Sequence, residues 1–183
     1  MLLSELTRFG VGGPVQELVD GYAEQQLLAA IEVPHVLIGG GSNLVCADEG
    51  YPGRVIRYRA SKIQIDGERV WVEAGAVLQD LVDATIAAGL RGLHHARRAG
   101  LGGFEFACAI PGTAGGGVRM NAGAYGVETK DVLVSAEAVD MQGRVHAVEA
   151  KALGLTYRHS DAPADWIFTA ALFRAKPGDR AAI

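Results

Sequence analysis

An α+β fold in two lobes is predicted by three features of the sequence. Helix-like and strand-like segments alternate over the first third of the chain; β-hairpins dominate the remainder; and glycine is used at about twice the average frequency, without any collagen-like period. The 183 residues suffice for one domain or two small lobes sharing a core, and 49% of them are apolar. The early alternation places the lobe boundary near residues 59 to 62, giving lobes of 1–60 and 61–183.

The elements follow in chain order. Thr7 to Pro14 is a turn-rich entry. Val15 to Val19 reads as a short strand. Ala23 to Ile31 favours helix in composition, with Leu27, Leu28 and Ile31 on one face. Pro34 ends that helix, and His35 to Ile38 is an apolar run suited to a buried strand. Val55 to Tyr58 is another strand. Ile63–Ile65 and Val70–Val72 flank Asp66-Gly67 as a hairpin. Leu78 to Ala88 carries apolar residues at helical spacing and stops at Gly89. A glycine-rich block fills residues 100–126. A second hairpin spans Val132–Val139 and Val145–Val148, and Trp166 to Phe173 is the last strand.

Composition narrows the function. A net charge of −4 without long runs of one sign gives no general reason to bind nucleic acid or an anionic membrane. No stretch reaches membrane-spanning length, and the N-terminus has no leader-like pattern. Two cysteines, Cys46 and Cys108, suit a reducing compartment, so the expectation is a cytoplasmic protein. The five histidines lack metal-ligand spacing, so no metal is expected.

Two glycine loops carry the chemistry. Gly39-Gly40-Gly41-Ser42-Asn43 follows an apolar strand. Successive small residues there let backbone N–H groups converge on an anion and let a diphosphate approach the main chain; the plain alternative is a tight turn. The familiar phosphate and nucleophile motifs do not fit. Both a dinucleotide fingerprint and a nucleophile elbow need glycine at 44, where the chain has Leu44, and no Gly-Lys-Ser/Thr occurs for a P-loop. The second loop, Ile110 to Gly126, has glycine at 112, 115, 116, 117, 123 and 126. Backbone this bare suits a cofactor lying flat along it, the alternative being a crossover between lobes.

Four blocks then occur in order: Thr7 with Phe9 to Pro14; Gly39 to Leu44 with Asp48-Glu49-Gly50; Ile110-Pro111-Gly112-Thr113 through Gly126; and Leu155-Thr156-Tyr157-Arg158-His159-Ser160. Together they cover nearly the whole chain, and the ordered set resembles the UDP-N-acetylenolpyruvoylglucosamine reductases (MurB), flavoenzymes of bacterial peptidoglycan synthesis. The resemblance implies a two-lobed FAD-binding fold of the vanillyl-alcohol-oxidase/PCMH type, followed in the family by a separate substrate-binding domain. It implies that Gly39, Gly40, Gly41, Ser42, Asn43 and Leu44 bind FAD, with Gly40 to Asn43 at the diphosphate. Gly112, Thr113, Gly116, Asn121, Ala122 and Gly123 would line the flavin. NADPH would supply hydride, and the substrate would be a UDP-sugar enolpyruvyl ether, reduced to UDP-N-acetylmuramate. Arg158 would be catalytic, beside the substrate carboxylate, and Tyr157 would bind substrate. A guanidinium suits that place because it stays charged and offers a planar fork.

The chain departs from the family pattern in several places. The family's proton-donating serine lies in a downstream G-S-x-F-K-N-P-like motif, and these 183 residues stop before it. Ala109 and Arg8 stand where the family usually has glycine and Asn or Thr. Ala88-Gly89-Leu90-Arg91-Gly92-Leu93 is echoed eleven residues on by Ala99-Gly100-Leu101-Gly102-Gly103-Phe104, around the basic run His94 to Arg98. A non-catalytic flavin-binding module is therefore the alternative expectation, and a flavin oxidase of the wider fold a third.

Overall fold

The structure is a computed structural model describing residues 1–90, 104–108 and 110–175. Residues 91–103, which hold most of the eleven-residue echo and the basic run His94 to Arg98, lie outside the described residues, as do Ala109 and the C-terminal residues 176–183.

The first sheet is parallel. Strand β1 (Val15–Gly21), helix α1 (Glu24–Ala30), β2 (His35–Ile38) and β3 (Tyr51–Tyr58) form a three-stranded sheet in the order β1-β3-β2. Leu18 pairs Val55 and Leu37 pairs Ile56, so β3 is central. Opposed charges sit at register partners on β1 and β3. Arg57 holds Asp20 through two 2.6 Å bonds, and Arg54 holds Glu17 at 2.8 and 2.9 Å. Helix α1 buries Leu27 and Ala30, with Ile31 buried just past its end, while Leu28, expected on the same face, is half-buried.

One expectation is corrected here. His35 to Ile38 is not a buried strand: β2 is an edge, and Val36 and Leu37 are 37% and 40% exposed. Four apolar residues do not distinguish a central strand from an edge, because the later β3 decides it by inserting between β1 and β2.

The second sheet is antiparallel. It is built from β4 (Ile63–Asp66), β5 (Arg69–Glu73), β8 (Leu133–Val139), β9 (Val145–Glu149) and β10 (Ile167–Arg174), in the order β4-β5-β10-β8-β9. The β4–β5 turn is Gly67-Glu68 with Gly67 at φ +56°, since Asp66 pairs Arg69; it lies one residue past the Asp66-Gly67 centre that the sequence suggests. Helix α2 (Leu78–Ala87) buries Leu78, Leu81, Val82 and Thr85 and ends before Gly89, which takes φ +76°. Helix α3 (Ala114–Arg119) packs on β10. A small hairpin, β6 (Gly123–Ala124) and β7 (Val127–Glu128), turns at Tyr125-Gly126, both at positive φ.

The two sheets share a core. Leu27, Ile31, Ile56 and Tyr58 join Val70, Val72, Leu81, Val118 and Phe168 in one buried cluster. Burial pushes the Tyr58 phenol up to about 12. A smaller cluster of Leu3, Val15, Ile38 and Val55 forms a second core. The two halves thus meet over apolar surface, and the crevice beside that contact carries the site.

The β8–β9 turn is held by a buried carboxylate. Asp140 is 2% exposed and accepts from the backbone N–H groups of Gln142 and Arg144, from Arg144 Nε at 2.7 Å, and lies 2.9 Å from His146 Nε2. Burial alone would raise its pKa; the bonds from His146, Arg144 and Gln142 overcome that and hold it far below the usual carboxylate range. A depressed folded-state pKa contributes stability that is present above about pH 4, the unfolded value, and lost as pH falls through the folded one. Asp140→Asn is therefore expected to destabilise at pH 7, with the gap to the parent narrowing as pH drops below about 4. Urea unfolding of both proteins across pH 3–7 measures it, and a pH-independent gap would show that the carboxylate charge is immaterial.

Candidate functional site

The loop after β2 cannot be a generic turn. A Cβ on Gly41 would lie 1.9 Å from the Leu6 carbonyl oxygen, and Gly41 sits at φ +62°, where only glycine is unstrained. A Cβ on Gly40 would lie 2.7 Å from Gly112 Cα. The two glycine loops, about seventy residues apart in sequence, therefore touch backbone to backbone. Ser42 Oγ donates to the Pro111 carbonyl at 2.9 Å across the same junction.

The second loop is anchored from behind. Leu78 N–H donates to the Gly112 carbonyl (3.1 Å), Ala114 N–H to Ala76 (2.8 Å) and Gly115 N–H to Ala74 (2.9 Å). Thr113 caps α3 by accepting from Gly116 N–H. The glycines of this block divide their work. Gly115 lets α3 approach Ala74, whose Cβ would be 2.8 Å from an added one, and Gly123 admits the Val127 carbonyl. Gly116 faces the open side, with nothing nearer than Thr113 Oγ1 at 3.6 Å. A cofactor lying along this loop therefore does not account for all of its glycines: several serve contacts within the protein.

Between the loops lies a cleft of about 630 Å³, within the range of small-molecule sites. Gly39, Gly40, Gly41, Ser42, Asn43 and Leu44 line it from one loop, and Gly112, Thr113 and Gly116 from the other. Ala122, Gly123 and Arg158 also reach it, as do four apolar residues the sequence reading did not single out, Leu37, Leu78, Ile110 and Met120. None of the backbone N–H groups of Gly40, Gly41, Ser42 and Asn43 donates to another described residue.

Two expected site residues stand elsewhere. Asn121 is fully buried at φ +41° and is outside the cleft lining. Its Nδ2 donates to Glu128 Oε2 (3.0 Å) and to the Thr156 carbonyl (2.8 Å), and its Oδ1 accepts from Lys130 N–H (3.0 Å). Tyr157 is 77% exposed and likewise outside the lining; its ring carries the Arg158 guanidinium at 5.0 Å.

Arg158 is positioned by a tight turn. Thr156 and His159 exchange both backbone hydrogen bonds at 3.1 Å, leaving Tyr157 and Arg158 at the tip, with Arg158 at φ +55°. A non-glycine residue there costs about 1–2 kcal/mol, so surrounding contacts hold the geometry. Its Nη2 donates to the Gly123 carbonyl at 2.8 Å and Nη1 to that of Asn121 at 3.4 Å.

Glu128, Lys130 and Arg119 carried no motif signal. Lys130 Nζ lies 2.5 Å from Glu128 Oε2. The hydrogen bond from Lys130 draws the Glu128 carboxyl below its ordinary pKa, while Glu128 raises the Lys130 ammonium. Arg119, at the end of α3, donates to the carbonyls of Ala162, Pro163 and Trp166, tying the helix to the segment before β10; burial lowers its pKa. Among the described residues, no three His, Cys, Asp or Glu side chains converge as a metal site, and no helix is long and apolar enough to cross a membrane.

Comparison with known proteins agrees with the geometry. Residues 15–149 match the model of the FAD binding domain family. The UDP-N-acetylenolpyruvoylglucosamine reductase of Azorhizobium caulinodans is 45% identical over 99% of this chain and 58% of its own length; that of Methylorubrum extorquens is 44% identical with the same coverage. The crystal structure of the Thermus caldophilus enzyme (MurB) superposes with a TM-score of 0.84 at 34% identity, covering 99% of this chain and 63% of that one. An alkyldihydroxyacetonephosphate synthase, 20% identical with a TM-score of 0.58, shares the fold alone. The chain thus spans about three fifths of the length of the curated relatives it matches.

Proposed function

This chain belongs to the FAD binding domain family, and we propose that it is the flavin-holding portion of a UDP-N-acetylenolpyruvoylglucosamine reductase. In this reading FAD lies in the cleft between the glycine loops, NADPH is the electron donor, and the substrate is the enolpyruvyl UDP-sugar. The free thiols Cys46 and Cys108 suit a cytoplasmic setting. One observation carries the proposal: two loops nearly bare of side chains touch at Gly40 and Gly112, and the cleft between them ends in an arginine set in a strained turn.

The residues fit such a group. The N–H groups of residues 40–43, which donate to no described residue, and the Ser42 and Asn43 side chains suit a diphosphate. The bare backbone at Gly112 and Gly116, with Leu78, Ile110 and Met120, suits a flat ring system. Bound FAD would accept hydride from NADPH and deliver it to the enolpyruvyl double bond. The chain's own task is then to orient the two partners and stabilise charge. Arg158 would receive the substrate carboxylate and hold the negative charge that builds on it after hydride addition, its planar fork matched to a carboxylate. Carbonyl anchors at Asn121 and Gly123 fix the direction of the fork.

Titration with FAD should give a yellow protein with quenched flavin fluorescence. Anaerobic NADPH should bleach it, and the enolpyruvyl UDP-sugar should restore the colour. Arg158→Lys is expected to keep FAD affinity within about threefold while slowing the UDP-sugar step by roughly 100-fold or more, since an ammonium cannot reproduce the bidentate fork. Bleaching without recovery in the parent would leave a flavin-binding module without turnover. Failure to take up FAD would remove both readings.

A further inference from the structure

Arg158 is held by neutral acceptors. Its guanidinium bonds to two backbone carbonyls and stacks on Tyr157, and none of the described carboxylates lies within ion-pairing distance of it. Carbonyls orient a guanidinium without cancelling its charge. Yet an acid stands close by. Glu128 and Arg158 both bond to Asn121, the carboxylate through the Asn121 side chain and the guanidinium through the Asn121 carbonyl, and the Arg158 charge adds, behind Lys130 and Asn121, to what holds the Glu128 carboxyl low. What occupies Glu128 is Lys130, 2.5 Å away on a partly exposed stem, together with the Asn121 amide. The Glu128 side chain is only 19% exposed, so without Lys130 its charge would have little water to turn to.

We infer that Lys130 is a positioning residue that acts through Glu128: by engaging that carboxylate it keeps the acid off Arg158 and leaves the arginine's charge free for an anionic group entering the cleft. The arrangement is economical because Glu128 is needed for another purpose, as the partner of Asn121 that braces the Thr156–His159 turn. An acid placed there for structure would quench the nearby arginine unless a second cation satisfied it. That an anion is the intended partner of Arg158 rests on the reductase reading above; the competition between Lys130 and Arg158 for Glu128 does not.

The test uses the 183-residue protein loaded with FAD, in three forms: parent, Lys130→Met, and Lys130→Met combined with Glu128→Gln. Methionine keeps the apolar stem of a partly exposed side chain. The Arg158 guanidinium is followed by side-chain nitrogen NMR, its signal assigned by its loss in Arg158→Lys. In Lys130→Met the signal should move and its N–H exchange with water should slow, as a carboxylate pairs with it; in the double variant both should return to parental values. Affinity for the enolpyruvyl UDP-sugar, read from the flavin absorbance, should fall by about tenfold in Lys130→Met and recover in the double variant. An Arg158 signal unchanged by Lys130→Met, or a change that persists when Glu128 is also neutralised, overturns the inference. If the NMR behaves as expected but the parent itself binds no UDP-sugar, the control of Arg158 by Lys130 stands and the reductase reading is what fails.

Discussion

Gly116→Ala is expected to raise thermal stability while weakening FAD binding by at least about tenfold, close to 1.4 kcal/mol. Gly41→Ala is expected to lower both. The opposite signs follow from where each Cβ goes. At Gly116 the backbone is helical and the new methyl meets only Thr113 Oγ1, at 3.6 Å, an ordinary contact. Alanine in a helix interior is favoured over glycine by up to about 1 kcal/mol, so the protein gains. The methyl, however, stands on the cleft face of α3, in the space assigned to the flavin. At Gly41 the backbone is left-handed, costing alanine about 1–2 kcal/mol, and the methyl would lie 1.9 Å from the Leu6 carbonyl. Backbone cannot yield as a side-chain tip can, so the loop must leave its seat against residues 6–8, where Arg8 N–H now bonds the Gly41 carbonyl. Melting temperature and flavin-fluorescence titration of the two variants provide the check. A Gly116→Ala protein that is stabilised and binds FAD normally would place the cofactor away from α3.

The contrast between these glycines also marks the limit of what the letters reveal. Helices α1 and α2 were legible because Pro34 and Gly89 punctuate them and their apolar residues fall on one face. The β4–β5 and β8–β9 hairpins were legible because strand alternation and turn residues are local signals, whereas the two-residue strands of β6–β7 gave no such alternation within the glycine block. Strand order was not: β10 comes last in sequence and lies in the middle of its sheet, between β5 and β8, and β3 takes the centre that the apolar run of β2 suits. Such placements depend on pairings between distant segments, which periodicity does not encode. The two glycine loops announced a cleft, since bare backbone is rare without a reason. Their division of labour was hidden, because Gly115 and Gly116 are identical letters that face Ala74 and the cleft respectively. Asn121 was expected to line the cofactor, and its place behind the cleft as a brace was not readable. Only the fold brings residues 121, 128, 130 and 156 to one point.

Asn121→Asp should destabilise the protein by an amount that grows as pH rises from 5 to 8. Asn121→Ala should destabilise it by a constant amount over the same range, about 2–4 kcal/mol, because it strands the Lys130 N–H in a buried site and takes one bond each from Glu128, which keeps Lys130, and the Thr156 carbonyl, which keeps His159 N–H. Part of the alanine loss comes from the +41° backbone, which asparagine tolerates better. The aspartate replaces Nδ2, a donor to a carboxylate and a carbonyl, with an oxygen that both partners repel. Burial and these neighbours disfavour its ionised form, so its folded-state pKa lies above the unfolded value of about 3.9. A raised acid is tolerated while it carries its proton and penalised as pH climbs through that folded value. The titration of Glu128, which the Lys130 hydrogen bond holds low, falls below this window. Urea unfolding of the three proteins at several pH values separates the cases. Equal, pH-independent losses for Ala and Asp would mean that the amide at 121 does not face an acid, and the brace on the Arg158 turn would have to be sought elsewhere.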